Sequence, residues 1–203
     1  MSGRALFWFD YENEGLNIEH HNPLSIGYCI TDIYGNKIAD TQYHLVNCGT
    51  YDCTPEAFNL HGITHSMVLD HGITLDEVRD RIMEYTKDYD RFIPAGQNIM
   101  NFDQPLLRRV HSAHPELLKK FDRRFLDLQC LSLFLFPGER LKLSVCLDRF
   151  GLDQGKIHNA GHDVDCSIEL FRSYRKLLTE DLAIKAELIR DENKIKSPLG
   201  DGK

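Results

Sequence analysis

The stretch from Ala5 to Gly15 constrains the fold of this chain more than any other. Ala5-Leu6-Phe7-Trp8-Phe9 is an unbroken apolar run, and such a run reads as a strand buried in the interior. Asp10 and Glu12 follow directly. Side chains on a strand repeat every second residue, so both carboxylates emerge on one face at its end. Gly15 then permits a turn that other residues resist. Two carboxylates held together at the end of a buried strand repel each other unless something positive sits between them. A hard divalent cation such as Mg²⁺, which takes oxygen ligands, meets that need; a pair of solvated surface acids is the plain alternative.

Composition narrows the partners. The 203 residues are 42% hydrophobic and 27% charged, as in ordinary globular proteins, and the length suits one large domain better than two small ones. The net charge of −7 means that the surface as a whole does not attract nucleic acid. Such a partner must be gripped by a local basic patch or through metal ions. The six cysteines form no CxxC pair and sit beside no histidines at zinc-finger spacing, which points to a reduced, cytoplasmic protein with inert thiols. No signal peptide is apparent, and no apolar run approaches the ~20 residues of a membrane helix.

Along the chain, Ser25–Ile33 alternates as a strand. Tyr34-Gly35-Asn36-Lys37 is a hairpin signal, and Ile38–Val46 reads as a returning third strand. Thr54-Pro55 starts a short helix that breaks at Gly62. Thr74 and Glu77 form a capping box ahead of an amphipathic helix reaching about Lys87. Arg91–Ala95 is a short buried strand, and a helix opens at Asn101 or Asp103. Pro115 starts a helical turn, and Phe125–Leu128 is a last short strand. Leu131–Phe136 and Leu143–Phe150 are helical pieces. A long helix runs from about Asn159 to Lys176. Beyond it, Leu182, Ala186 and Ile189 fall at helical spacing in a charged tail that ends in a polar segment. Strands first, then strands interleaved with helices, predict a mixed α/β sheet covered by helices.

Taken singly, Asp103 at a helix start is a capping residue and His158 ahead of a helix is a structural or surface group. Their order is the stronger signal. Asp10-x-Glu12, then Asn98-x-x-x-Phe102-Asp103, then His158-x-Ala160-x-x-Asp163 resembles the DnaQ-like 3′→5′ exonucleases of the DEDDh group. Phe58-Asn-Leu-His61-Gly62-Ile63-Thr64 looks like the family's loop near the scissile end. Leu135-Phe136-Pro137-Gly138 with Leu147-Asp-Arg-Phe150-Gly151 resembles the stretch before the last motif in proofreading subunits of bacterial replicases. The resemblance spans about Leu6 to Lys176. It implies a ribonuclease H-like exonuclease fold, a mixed sheet of antiparallel meander plus parallel strands flanked by helices, in a domain of residues 1–178. Residues 179–203 are expected to be a C-terminal helix and polar tail.

The implied activity is metal-dependent 3′→5′ hydrolysis of single-stranded or frayed DNA or RNA 3′ ends to nucleoside 5′-monophosphates. Asp10, Glu12, Asp103 and Asp163 would hold two Mg²⁺ or Mn²⁺ ions ~3.5–4 Å apart, with His158 as general base. Gly15, Leu16, His61, Ile63, Asn98 and Phe102 would hold the last nucleotide. Leu16 and Ile63 would present apolar surfaces to its base, core packing being the other reading of both. A proofreading subunit that docks a DNA polymerase through the tail helix is the alternative, and an inactive nucleic-acid-binding scaffold the third reading. Three departures stand out. Tyr11, Asn13 and Glu14 surround the first acids where small or hydroxyl residues are common, and Glu14 adds negative charge where a phosphate must come. Gln97 stands where many relatives have histidine, and His162 is a second histidine beside Asp163. Arg108, Arg109 and Arg140 are candidate phosphate contacts.

Overall fold

The structure is a computed structural model that describes residues 5–138, 141–155 and 158–195, with side chains described through Glu180. Arg140 therefore lies outside the described residues, as do the last residues of the polar tail.

A five-stranded sheet is organised around its central strand. β1 (Ala5–Asn13) pairs antiparallel with β2 (Pro23–Asp32), which pairs antiparallel with β3 (Gln42–Leu45). On its other edge β1 pairs parallel with β4 (Phe92–Gly96), and β4 pairs parallel with β5 (Leu126–Asp127). The order is β3-β2-β1-β4-β5. Helices cover the sheet: α1 (Pro55–His61), α2 (His65–His71), α3 (Leu75–Tyr85), α4 (Asp103–Val110), α5 (Pro115–Leu118), α6 (Leu128–Leu135), α7 (Leu143–Arg149) and α8 (Ala160–Ile195).

The apolar run of β1 is unbroken because both of its faces are buried. Phe7, Phe9 and Tyr11 pack with Val78 and Ile82 of α3 and with Leu106 and Leu107 of α4. Leu6 and Trp8 point the other way, into a cluster with Leu128, Leu147, Val164 and Ile168. Burial of each such side chain contributes roughly 1.5–3 kcal/mol. Phe7 stacks on Tyr28 at 5.7 Å between ring centroids and meets Phe121 edge-on at 5.2 Å. The one polar atom that Trp8 brings inside is satisfied, its Nε1–H donating to Thr31 Oγ1 at 2.8 Å.

The third strand is shorter than the Ile38–Val46 expected. Asp32 accepts hydrogen bonds from the N–H groups of Tyr34 and Asn36 and from the Asn36 side chain, which curls the chain after β2. Lys37 still makes one isolated antiparallel bridge to Thr31, its side chain and that of Thr41 bond to Asp165 on α8, and the ladder resumes only at Gln42. α2 was not expected; Thr64 caps it by accepting from Met67 N–H at 3.2 Å. The last helix runs well past Lys176 and crosses residues 178 and 179, where the domain was expected to end, without a break. No glycine or proline occurs between Gly161 and Pro198 to stop it. The side chains of Leu182, Ala186 and Ile189 lie outside the described residues.

Candidate active site

Strand parity delivers the first two acids. On the face of β1 that carries Leu6 and Trp8, the next two positions are Asp10 and Glu12, so one row of side chains passes from core to site. Asp10 lies opposite Gly27 of β2. Gly27 decides how the last motif arrives: a Cβ there would collide with the carbonyl group of Ala160, so the first turn of α8 packs directly on the backbone of β2. That contact seats α8 over the acids. Glu12, His158 and Asp163 offer ligand atoms that all lie within 4.8 Å of one another. Asp163 Oδ2 accepts the His158 N–H at 3.1 Å, which holds His158, two residues ahead of the helix, in a left-handed turn with φ 68°. Its Oδ1 is buried and has no hydrogen-bond partner among the described residues.

Asp103 reaches the site from the start of α4. Its Oδ1 accepts the Tyr11 N–H at 2.9 Å, so it is tied to β1 between the two acids. The turn before it depends on Asn98, which takes φ 57°, a conformation that asparagine tolerates better than most residues. Asp127, at the end of β5, holds that turn. Its Oδ1 accepts from Asn98 N–H at 3.0 Å and from Gln129 N–H at 2.8 Å, and its Oδ2 accepts from Met100 N–H at 3.3 Å. Asp127 is a positioning group that sequence reasoning missed. An acid at a strand end ahead of a helix is an N-cap pattern that would have found it. Gly27 was missed as well, although a glycine inside a strand is a known sign of close backbone approach.

A cavity of about 650 Å³ opens from the acids toward α1. Asp10, Glu12 and Asp103 line it, together with Gly15, Leu16, His61, Asn98 and Phe102. Leu16 is 81% exposed at its rim. Ile63 is elsewhere. Its side chain packs with Leu24 and Val68 in a satellite core, and its backbone serves His61 instead. Ile63 N–H donates to His61 Nδ1 at 2.9 Å, so the imidazole proton is assigned to Nε2, which faces the Asn13 carbonyl at 3.3 Å. His162 turns away from Asp163, its Nε2 lying 2.7 Å from the Gln154 carbonyl oxygen. Gln97 Nε2 donates to the Leu141 carbonyl at 2.6 Å. Glu14 does not face an incoming phosphate: it is buried, and its two carboxylate oxygens accept from Asn22 N–H and Asp52 N–H, each at 2.8 Å.

The acids oppose one another. Burial, then the charges of Asp103, Glu12 and Asp163, hold the Asp10 carboxyl well above the usual range. Burial, then Asp163 and Asp103, push Glu12 up to about 8. Burial pushes Asp103 up to about 7 against the stabilising Tyr11 N–H, and it raises Asp163 against the His158 N–H. A cluster of hard oxygen donors that resists ionisation, with Asp163 Oδ1 unsatisfied, fits divalent cations bound between the carboxylates.

The consequence for stability has a definite sign. The folded state holds protons on these carboxyls at pH values where the unfolded chain has released them, so metal-free stability is lost as pH rises toward about 8. His111, buried and pushed down to about 4 chiefly by burial, works oppositely, but only below the ~6.5 of an unfolded histidine. Between pH 6.5 and 8 the acids therefore dominate. In EDTA the Tm is expected to fall across this interval, and Mn²⁺ is expected to raise it most at the alkaline end, where the metal has fewer protons to displace from the ligands. A metal-free Tm that climbs from pH 6.5 to 8 would contradict the cluster.

Comparison with known proteins agrees with the geometry. The family model described as Exonuclease (RNase_T) matches residues 7–171. DNA polymerase III subunit epsilon of Escherichia coli (strain K12) is 25% identical over 172 residues, covering 80% of this chain and 68% of that protein. The E. coli exonuclease I complex with a dT13 oligonucleotide superposes with a TM-score of 0.72 at 19% identity, over 88% of this chain and 43% of that one. The zinc-bound form of the E. coli exonuclease I–ssDNA complex gives 0.71 at 18% identity, over 84% and 40%. The chain thus spans less than half the length of these solved structures. The shared fold is the ribonuclease H-like one, a mixed sheet with helices on its faces. Among the described residues no helix is long and apolar enough to cross a membrane. With its motifs in order and the model matching most of its length, the chain belongs to the DnaQ-like exonuclease family.

Proposed function

We propose that the protein is a metal-dependent 3′→5′ exonuclease that releases nucleoside 5′-monophosphates from single-stranded or frayed nucleic-acid ends. One observation carries this reading: Glu12, His158 and Asp163 bring ligand atoms within 4.8 Å of one another, and Glu12 also lines, with Asp10 and Asp103, a cavity of about 650 Å³. Asp10, Glu12, Asp103 and Asp163 would hold two Mg²⁺ or Mn²⁺ ions. When bound, these supply a lowered pKa for the attacking water and neutralise charge on the phosphate and the leaving 3′-oxygen. The residues do the rest. His158 takes the water's proton; the Asp163 carboxylate anchors its backbone. Tyr11 N–H keeps Asp103 turned toward the acids. Leu16, exposed at the rim, and Phe102 offer apolar faces against which the terminal base packs. Ile63 acts from behind, by setting the tautomer of His61.

The test is a 5′-labelled single strand of DNA, and of RNA in parallel, digested with Mg²⁺, with Mn²⁺ or in EDTA. A ladder shortening from the 3′ end with either metal and absent in EDTA is the expected result. Intact substrate under all conditions would overturn the reading. The similarity to polymerase III subunit epsilon supports a second role, proofreading in a complex with a DNA polymerase. Co-elution with a candidate polymerase tests it.

A further inference from the structure

Glu14, Arg109 and Gly15 have a common effect: they fix the ring of His21 in the cavity wall. Glu14 holds the Asn22 N–H and thereby the loop between β1 and β2. Arg109 Nη2 donates to the His21 carbonyl at 2.5 Å. His21 Nδ1 accepts the Asn17 N–H at 3.2 Å, which assigns the ring proton to Nε2. Cε1 and Nδ1 of the ring fill the space where a Cβ on Gly15 would stand. The ring is therefore gripped from its backbone, at its Nδ1 and along its Cε1–Nδ1 side.

Its Nε2–H has no acceptor among the described residues, and the residue lines the cavity. The cavity needs such a donor. Among the described residues no lysine or arginine lines it, while Asp10, Glu12, Asp103 and Glu56 do. The other imidazole in the wall, His61, already has both ring nitrogens engaged. The amide Nε2 of Gln97 is taken by the Leu141 carbonyl. A phosphodiester drawn into this acidic wall by its metals still requires hydrogen-bond donors along the rest of its length.

Building on the nuclease reading above, we propose that His21 is a substrate-binding residue whose Nε2–H donates to a phosphate oxygen of the nucleic-acid strand in the cavity. Glu14 and Arg109 hold it there. This gives Glu14, the acid that looked hostile to phosphate, a role in presenting a donor to one.

Steady-state hydrolysis of a 5′-labelled oligothymidylate with Mn²⁺ tests the contact. His21→Ala is expected to raise KM about tenfold and to leave kcat within about twofold. His21→Gln, which keeps an N–H donor, is expected to recover most of the loss. Gly15→Ala places a methyl group where the ring sits, so it too should raise KM; in a His21→Ala background its effect should shrink, because the displaced ring is gone and only the Thr54 methyl, 3.0 Å from the new Cβ, is left to give way. An unchanged KM in His21→Ala, additive effects of the two substitutions, or a fall in kcat alone would each overturn the proposal. Fluorescence anisotropy of the same strand with Ca²⁺ reads the contact without turnover, with about tenfold weaker binding expected for His21→Ala. Loss of hydrolysis in the unmodified protein would thus count against the nuclease reading while leaving the His21 contact measurable.

Discussion

Asp163→Asn is expected to lower hydrolysis of single-stranded DNA by about 10³-fold or more, and at the same time to raise the Tm of the metal-free protein at pH 8. The two effects share one cause. Asp163 is a buried carboxyl whose charge adds to the repulsion on Asp10 and Glu12. Asparagine removes that charge and retains an oxygen to accept the His158 N–H, so the fold keeps its hydrogen bond and loses a destabilising neighbour. A gain in Tm with a loss of turnover is the mark of a group kept for its charge. Full activity in the variant would mean that the last motif is misassigned. Lost turnover with a lower Tm would make Asp163 a structural residue.

His158 calls for a different variant. Its φ of 68° disfavours alanine, whereas asparagine tolerates the left-handed region. His158→Asn isolates the imidazole from the turn, and its expected loss in kcat is about 10²–10⁴-fold.

Gly27→Val is expected to lower kcat by roughly 10²-fold without changing any group that touches substrate. Valine at this position drives its side chain into the Ala160 carbonyl, and the first turn of α8 must lift off β2. Asp163 and His158 travel with that turn, whereas Asp10 and Glu12 stay on β1. Overpacking of this kind costs about 1–3 kcal/mol, so assays well below the Tm separate misplacement from unfolding. Mn²⁺ binding by calorimetry should weaken in parallel. Gly27→Ala gives the same changes in smaller measure. Wild-type kcat in the valine variant would show that α8 is seated by other contacts.

Some parts of this protein could be read from local chemistry alone. The run Ala5–Phe9 followed by Asp10 and Glu12 has the period of a strand, and a buried central strand is what it forms. Thr74 with Glu77 makes a capping box, because both partners lie within one helical turn. Other parts depended on what arrives from a distance. Ile63 has the residue type of a base platform, yet Leu24 and Val68 claim its side chain. The course of the chain ahead of the third strand was shaped by Asp165, more than a hundred residues away, which takes the side chains of Lys37 and Thr41.

By itself, then, the sequence determined the identities and order of the acids, and the strand parity that puts Asp10 and Glu12 on one face. Both rest on periodicity and residue type, which act over a few residues. Only the tertiary structure decided that Asp163 leaves one oxygen without a partner among the described residues, beside Glu12, and that Glu14 turns inward to hold a loop. It also showed that Gly27 is the floor on which α8 rests. These facts follow from close approach between segments far apart in the chain. Such contacts are set by packing the whole sheet against its helices; a glycine inside a strand signals a close approach, but not which segment arrives.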